Sequence, residues 1–131
     1  TRADMTQAVL EGVAFALRDS FEIAKALGIP LERTKICGGG AKSPLWRTIV
    51  ANVLGIPVDI LETEEGPSLG GAMLAAVACG EYASVEEAAS KIVHVIDTVE
   101  PTVELTEKYE QCYTKFTKIY PALKEIFPDI K

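Results

Sequence analysis

The sequence is poor in the residues that usually build metal and nucleophile sites. It has one histidine, His94, and three cysteines, Cys37, Cys79 and Cys112, which lie far apart without a Cys-x-x-Cys pair. Zinc-finger spacing and a disulfide framework are thereby excluded, and the cysteines read as reduced, buried thiols of a cytoplasmic protein. His94 falls in the alternating stretch Ile92-Val93-His94-Val95-Ile96, where a strand would turn it outward, away from catalytic partners. No apolar run reaches the roughly 20 residues that a bilayer-spanning helix needs. Positive charge is also scarce. The 13 Lys and Arg are scattered against 19 Asp and Glu, for a net charge of -6, which argues against nucleic acid or an anionic membrane surface as a partner. Two familiar phosphate motifs are missing as well. A P-loop ends Gly-Lys-Ser/Thr where this chain has Ala41-Lys42-Ser43, and a dinucleotide fingerprint needs a third glycine where Ser43 stands.

What remains is an ordinary globular composition, 48% apolar and 24% charged over 131 residues, enough for one domain with its own core. The chain is organised around residues 33 to 55. Lys35, Ile36 and Cys37 end a short strand, and Gly38, Gly39 and Gly40 follow at once. Ser43 and Pro44 then supply an N-cap and a first helical residue. The new helix directs unpaired N–H groups and its positive dipole end back toward the glycines, an arrangement suited to an anion such as phosphate. A tight strand-to-helix turn without a ligand is the alternative.

Around this centre the apolar spacing predicts one long helix over residues 2 to 27, mostly buried, with Gly12 marking the close passage of another backbone. Its start almost at residue 1 leads to the expectation of a piece of a longer protein. The helix from Pro44 to Leu54 is expected to bury Leu45, Ile49, Ala51, Val53 and Leu54, to stop at Gly55 and to lead into a strand from Val58 to Leu61. Strand, helix and strand with short connections predict a parallel βαβ unit and an α/β fold. An acidic loop, Glu62 to Glu65, precedes a small-residue helix, Ser68 to Cys79, whose Gly70 and Gly71 allow close approach of a neighbour or a ligand. A short helix from Ser84 to Ser90 and a strand over 92 to 96 come next. A last helix, about Glu104 to Phe127, carries a core-facing stripe of Tyr109, Cys112, Tyr113, Phe116, Ile119, Tyr120, Leu123, Ile126 and Phe127, with Pro121 expected to kink or divide it.

Three stretches resemble the FGGY carbohydrate kinases in collinear order over nearly the whole chain. Asp4 to Gly12 is similar to the second half of that family's C-terminal signature. Ile36 to Trp46, ICGGGAKSPLW, resembles its adenosine motif, and Glu65 to Ala72 resembles its Glu-x-x-x-x-Gly-Ala-Ala helix start. The terminal Tyr109, Tyr113 and Tyr120 pattern agrees with pentulose kinases of the family. Departures are few: Asn52 stands for a usual Asp, Gly71 for Ala and Lys42 for Arg.

The resemblance implies an actin-like, ribonuclease H-like ATPase fold, with residues 1–131 as the C-terminal part of the ATP-binding domain of a two-domain kinase. It implies transfer of the γ-phosphoryl of ATP, with Mg²⁺, to a hydroxyl of a pentulose sugar in the cytoplasm. Gly38, Gly39, Gly40 and Ala41 are expected to meet the nucleotide's ribose and phosphates through main chain, and Ser43 to cap the next helix, either in that role alone or with contact to nucleotide as well. The family's catalytic Asp, Mg²⁺ ligands and sugar-binding residues lie upstream of the segment matched, so no catalytic or metal residue is assigned here. Lys42 is expected to reach solvent, Trp46 to pack behind the loop, and Asp4 and Glu11 to be structural. Another kinase of the family, acting on glycerol, ribulose or rhamnulose, and a non-catalytic actin-like interaction domain are the alternatives. A homodimer stays open.

Overall fold

The computed structural model describes residues 1–129. Its central element is a helix, α2 (Pro44–Leu54), whose residues Ile49 to Leu54 are all buried. Helix α1 (Arg2–Ala26) and helix α5 (Val103–Phe116) pack on one side of it. On the other lies a three-stranded sheet of β1 (Thr34–Ile36), β2 (Val58–Leu61) and β3 (Val95–Val99), in the order β1-β2-β3. Strands β1 and β2 are parallel with Lys35 opposite Asp59, which makes β1-α2-β2 the expected βαβ unit. Strand β3 returns antiparallel, pairing Asp59 with Thr98, and the register shifts between Ile60 and Leu61.

Two apolar clusters meet on α2. Ala14, Phe15, Ile49 and Val53 form the first, with Leu10, Trp46, Tyr109, Tyr113 and Phe116 packed around them. Phe15 is its anchor, with the rings of Phe116, Tyr109 and Tyr113 at 5.3, 6.0 and 6.0 Å. Val50, Ala51, Leu54 and Val58 form the second, against Phe21, Ile36 and Val99. Burying each such aliphatic side chain contributes about 1.5–3 kcal/mol, so α2 and β2 hold the unit together.

Several expectations need correction. Helix α1 is not mostly buried: Ala14 and Phe15 are, while Met5 and Val9 are 73% and 66% exposed. It is covered mainly by α2 and α5, and a Cβ on Gly12 would meet nothing within 4 Å, so among the described residues no other backbone passes close to it. Leu45 is half exposed because the first turn of α2 projects past the core. All three cysteines are free but exposed.

Helix α3 (Pro67–Ala78) packs mainly on α4 (Val85–Ile92) and has no buried residue, and Gly70 and Gly71 have open space around them rather than a neighbour within the described residues. Strand β3 begins three residues later than predicted and shares Val95 and Ile96 with the predicted stretch. Ala88, Ala89 and Ile92 continue the helical period of α4, and the Val93 N–H donates to the Ala89 carbonyl at 2.9 Å, so the helix claims residues that alternate like a strand.

The last helix is divided, as Pro121 predicts. The break falls at Thr117, four residues before the proline, whose ring would meet that carbonyl. The second piece, α6 (Ile119–Leu123), swings away from the core. As a result Tyr120 is 67% exposed and Ile119, Leu123, Ile126 and Phe127 are exposed too; Cys112, on α5 before the break, is exposed as well, so the predicted core stripe is confined to Tyr109, Tyr113 and Phe116.

Candidate functional site

The glycines leave the sheet at the carboxyl end of β1, beside the carboxyl end of the parallel strand β2. In open α/β sheets, ligands bind beyond these strand ends. Gly38 has φ 84°, a left-handed conformation that an L side chain adopts only with strain. Residues Gly39–Lys42 then wind one 3-10 turn, in which the Ala41 N–H donates to the Gly38 carbonyl at 3.0 Å. Ser43 is extended, and its hydroxyl accepts the Trp46 N–H at 3.3 Å, capping α2 with Pro44 at its first position. The expected cap is therefore present; Pro44 has no N–H and the Arg47 N–H donates to the Ser43 carbonyl at 3.1 Å, so in the first turn of α2 only the Leu45 N–H is left without an intrahelical partner.

The turn is held on both sides. A Cβ added to Gly40 would lie 3.3 Å from the Trp46 ring, which places that ring behind the loop as expected. The Arg47 guanidinium donates through Nε to the Ala41 carbonyl, and Ala41 is buried. Lys42 reaches solvent as expected, its side chain 62% exposed, and its Nζ also lies 2.6 Å from Oε2 of the similarly exposed Glu64. Glu64 also accepts the Gly38 N–H on its carbonyl at 3.0 Å.

Gly38, Gly39, Gly40, Ala41 and Ser43 thus form one continuous turn with a recess on each flank. A cavity of about 130 Å³ lies between the turn and the acidic loop, lined by Ala41, Lys42, Arg47, Glu62 and Glu64. An apolar hollow of about 250 Å³ lies on the opposite flank, lined by Leu10, Val13, Gly40, Ser43 and Trp46. A larger hollow of about 460 Å³, between Asp19, Phe116, Tyr120 and Phe127, is remote from the turn.

Other polar groups brace the frame. Asp59 is buried and accepts from Arg33 Nη2 at 2.7 Å and from Thr98 Oγ1 at 2.8 Å. The Thr98 hydrogen bond, with help from Arg33, holds its carboxyl below the usual aspartate range against the opposing effect of burial. Asp4 joins Thr1 in capping α1, and Glu11 accepts from Tyr109 at 3.0 Å and from Gln7 at 2.8 Å, so both carboxylates are structural. Burial and the Glu11 carboxylate push the Tyr109 hydroxyl up to about 12; burial and Asp19 do the same to Tyr113. His94 is exposed just before β3, and its carbonyl receives the Glu62 N–H at 2.9 Å.

Arg47, Asn52, Asp59 and Glu64 were not singled out as supports of the site by the sequence alone. Asp59 had a signal: a charged residue inside the apolar strand Val58-Asp59-Ile60 must find partners when buried. Among the described residues no three or more His, Cys, Asp or Glu side chains converge so as to hold a metal ion. Nor is any described helix long and apolar enough to cross a membrane.

The architecture defines a class, the α/β proteins that present a glycine turn and a capped helix at the carboxyl ends of parallel strands. The model of the FGGY family of carbohydrate kinases, C-terminal domain, matches residues 1–79. The chain belongs to that family. Over 130 residues it is 35% identical to the xylulose kinase of Staphylococcus epidermidis, an alignment covering 99% of this chain and 26% of that protein. It is 31% identical over 121 residues to the ribulokinase of Mycolicibacterium smegmatis, covering 92% of this chain and 22% of that one. The crystal structure of xylulose kinase from Rhodospirillum rubrum superposes with a TM-score of 0.80 at 29% identity, covering 97% of this chain and 26% of that chain. The chain therefore spans about a quarter of the length of these relatives.

Proposed function

We propose that the chain is the nucleotide-binding portion of a pentulose kinase, with xylulose as the sugar phosphorylated, and that residues 1–131 are the C-terminal part of an actin-like ATP-binding domain. The observation that carries this reading is the glycine turn itself. It joins the carboxyl end of a parallel strand to a helix capped by Ser43, and the N–H groups its own hydrogen bonds leave over, those of Gly39 and Leu45 among them, together with the positive end of the helix dipole, suit a phosphate. Gly38, Gly39, Gly40 and Ala41 contact the ribose and phosphates of ATP through main chain, and Ser43 contacts nucleotide from the start of α2.

Phosphoryl transfer asks little covalent chemistry of a protein and much positioning and charge stabilisation. This chain's residues bind and orient the nucleotide. Mg²⁺ would neutralise charge on the transferred phosphoryl group, and its protein ligands, like the catalytic carboxylate, are assigned outside this chain. The carboxylate that takes the sugar hydroxyl's proton is assigned outside this chain, so the chain by itself turns over no ATP with xylulose. The three free cysteines fit a cytoplasmic setting. The likeness to a ribulokinase favours a second reading in which the sugar is ribulose.

The test is a MgATP titration followed by Trp46 fluorescence, Trp46 being the sole tryptophan and in contact range of the turn. A saturable change that disappears in Gly39→Val supports the reading. No change, both in this chain and in a full-length kinase carrying it, would sink it.

A further inference from the structure

We infer that Glu64 is a positioning residue for the glycine turn, fixing its two ends at once; as a statement about nucleotide binding, this rests on the reading above. Its carbonyl accepts the N–H of Gly38, which opens the turn, at 3.0 Å. Its carboxylate Oε2 lies 2.6 Å from the ammonium of Lys42, which closes it. One residue of the acidic loop therefore spans the whole turn from first residue to last.

Such a brace matters because the turn has little of its own to fix it. Gly38, Gly39 and Gly40 restrict the backbone less than any other residues, and an ordered conformation there must be imposed by neighbours. From the far side, Arg47 holds the Ala41 carbonyl. On the near side the acidic loop is seated tightly, since a Cβ on Gly66 would fall 2.8 Å from the Cys37 sulfur, just ahead of the turn. The Thr63 hydroxyl accepts the Glu65 N–H at 3.2 Å and keeps Glu64 at the apex of that loop. The pair is exposed, with the Lys42 and Glu64 side chains 62% and 59% open to solvent, so it biases the Lys42 charge toward the acidic loop by at most about fivefold. Lys42 thus acts on the turn's shape, and the recess between the two loops keeps its walls in register.

The experiment is residue-resolved amide hydrogen exchange on the ¹⁵N-labelled 131-residue chain, joined to the MgATP titration. The reporters are the N–H groups of Ala41 and Ser43, which donate to the Gly38 and Gly40 carbonyls at 3.0 and 3.1 Å. In Glu64→Ala these amides should exchange about fivefold faster, the factor given by the upper end of an exposed ion pair's strength. MgATP affinity should fall by a similar factor. The double variant Lys42→Glu with Glu64→Lys should restore both. Glu104→Ala, which breaks a comparable exposed pair with Lys108 on α5, should change neither.

Glu64→Ala keeps the main-chain bond to Gly38 and removes only the pair with Lys42, so unaltered exchange at Ala41 and Ser43 would overturn the inference that the Glu64 carboxylate holds the turn, and so would failure of the charge swap to restore it. If the parent chain and a full-length kinase carrying it both ignore MgATP, the nucleotide reading fails, while the exchange data still decide whether Glu64 holds the turn.

Discussion

Asn52 and Thr102, fifty residues apart, are joined by a two-pronged clasp. The Thr102 N–H and hydroxyl both donate to Asn52 Oδ1, at 2.8 and 3.2 Å, while Asn52 Nδ2 donates to the Thr48 carbonyl at 2.8 Å. Thr102 is the N-cap of α5, and Asn52 is buried on the central helix. The clasp therefore fixes where the last long helix leaves the sheet. Asn52→Ala should leave the α5 start without its acceptor and lower stability by about 0.5–1.5 kcal/mol, the usual net worth of an intramolecular hydrogen bond, since Thr102 is exposed and water reaches its N–H. Urea denaturation of the two chains measures it, and an unchanged midpoint would show that water replaces the clasp.

The glycine turn separates fold from function at two neighbouring positions. Gly39 has open space around its Cβ position and an ordinary φ, so Gly39→Val should keep the melting temperature while weakening MgATP binding. Gly38 has φ 84°, and Gly38→Ala should cost about 1–2 kcal/mol from left-handed strain. Thermal melts and MgATP titrations on both variants check the contrast. Equal loss of stability in the two would mean that the turn is merely structural.

Phe15 should be the most costly apolar position on α1. It is 6% exposed and meets three aromatic rings of α5. Phe15→Ala should lose about 3–5 kcal/mol and release α5 from α1. Near-ultraviolet circular dichroism of the tyrosines would register that release, whereas exposed Val9→Ala should leave the spectrum as it is.

Stability should fall at both pH extremes through identifiable groups. The folded-state carboxyl of Asp59 lies below its ordinary value of 3.8. Its contribution is thus complete above that value and is lost as pH drops through the folded pKa. Asp59→Asn should flatten the acid limb of a stability-against-pH curve. At the other end, Tyr109 and Tyr113 are raised from 10.0 to about 12. They contribute fully below pH 10 and lose that contribution as pH climbs through 12. Absorbance titration at the tyrosinate band should show two late-titrating groups, absent in the double Phe variant.

How much of this was legible beforehand depends on the range over which each signal acts. Ser43 as N-cap, Pro44 behind it, Gly55 as the left-handed stop of α2 and Pro121 dividing the last helix are all interactions within about four residues, so the local sequence determined them. The parallel pairing of β1 and β2 followed from the short connections on either side of α2. Gly38, Gly39, Gly40, Ala41 and Ser43 came together as one turn because they are nearly contiguous in the chain.

Burial followed a different logic. Met5, Val9 and Leu74 repeat with helical spacing whether or not anything covers them, and here nothing among the described residues does. Periodicity shows which face is apolar; only the packing of other elements decides whether it is buried. The same holds for Asp59 with Arg33 and Thr98, Glu11 with Tyr109, and Glu64 with Lys42. A carboxylate is compatible with many partners, and the choice among them is made by which strands and loops the chain topology brings within 3 Å. The sequence alone specified the turn, its cap and the βαβ unit around it, because those are short-range events. The bracing of that turn by Glu64 and Arg47 was decided only when the tertiary structure set the acidic loop and α2 on either side of the glycines.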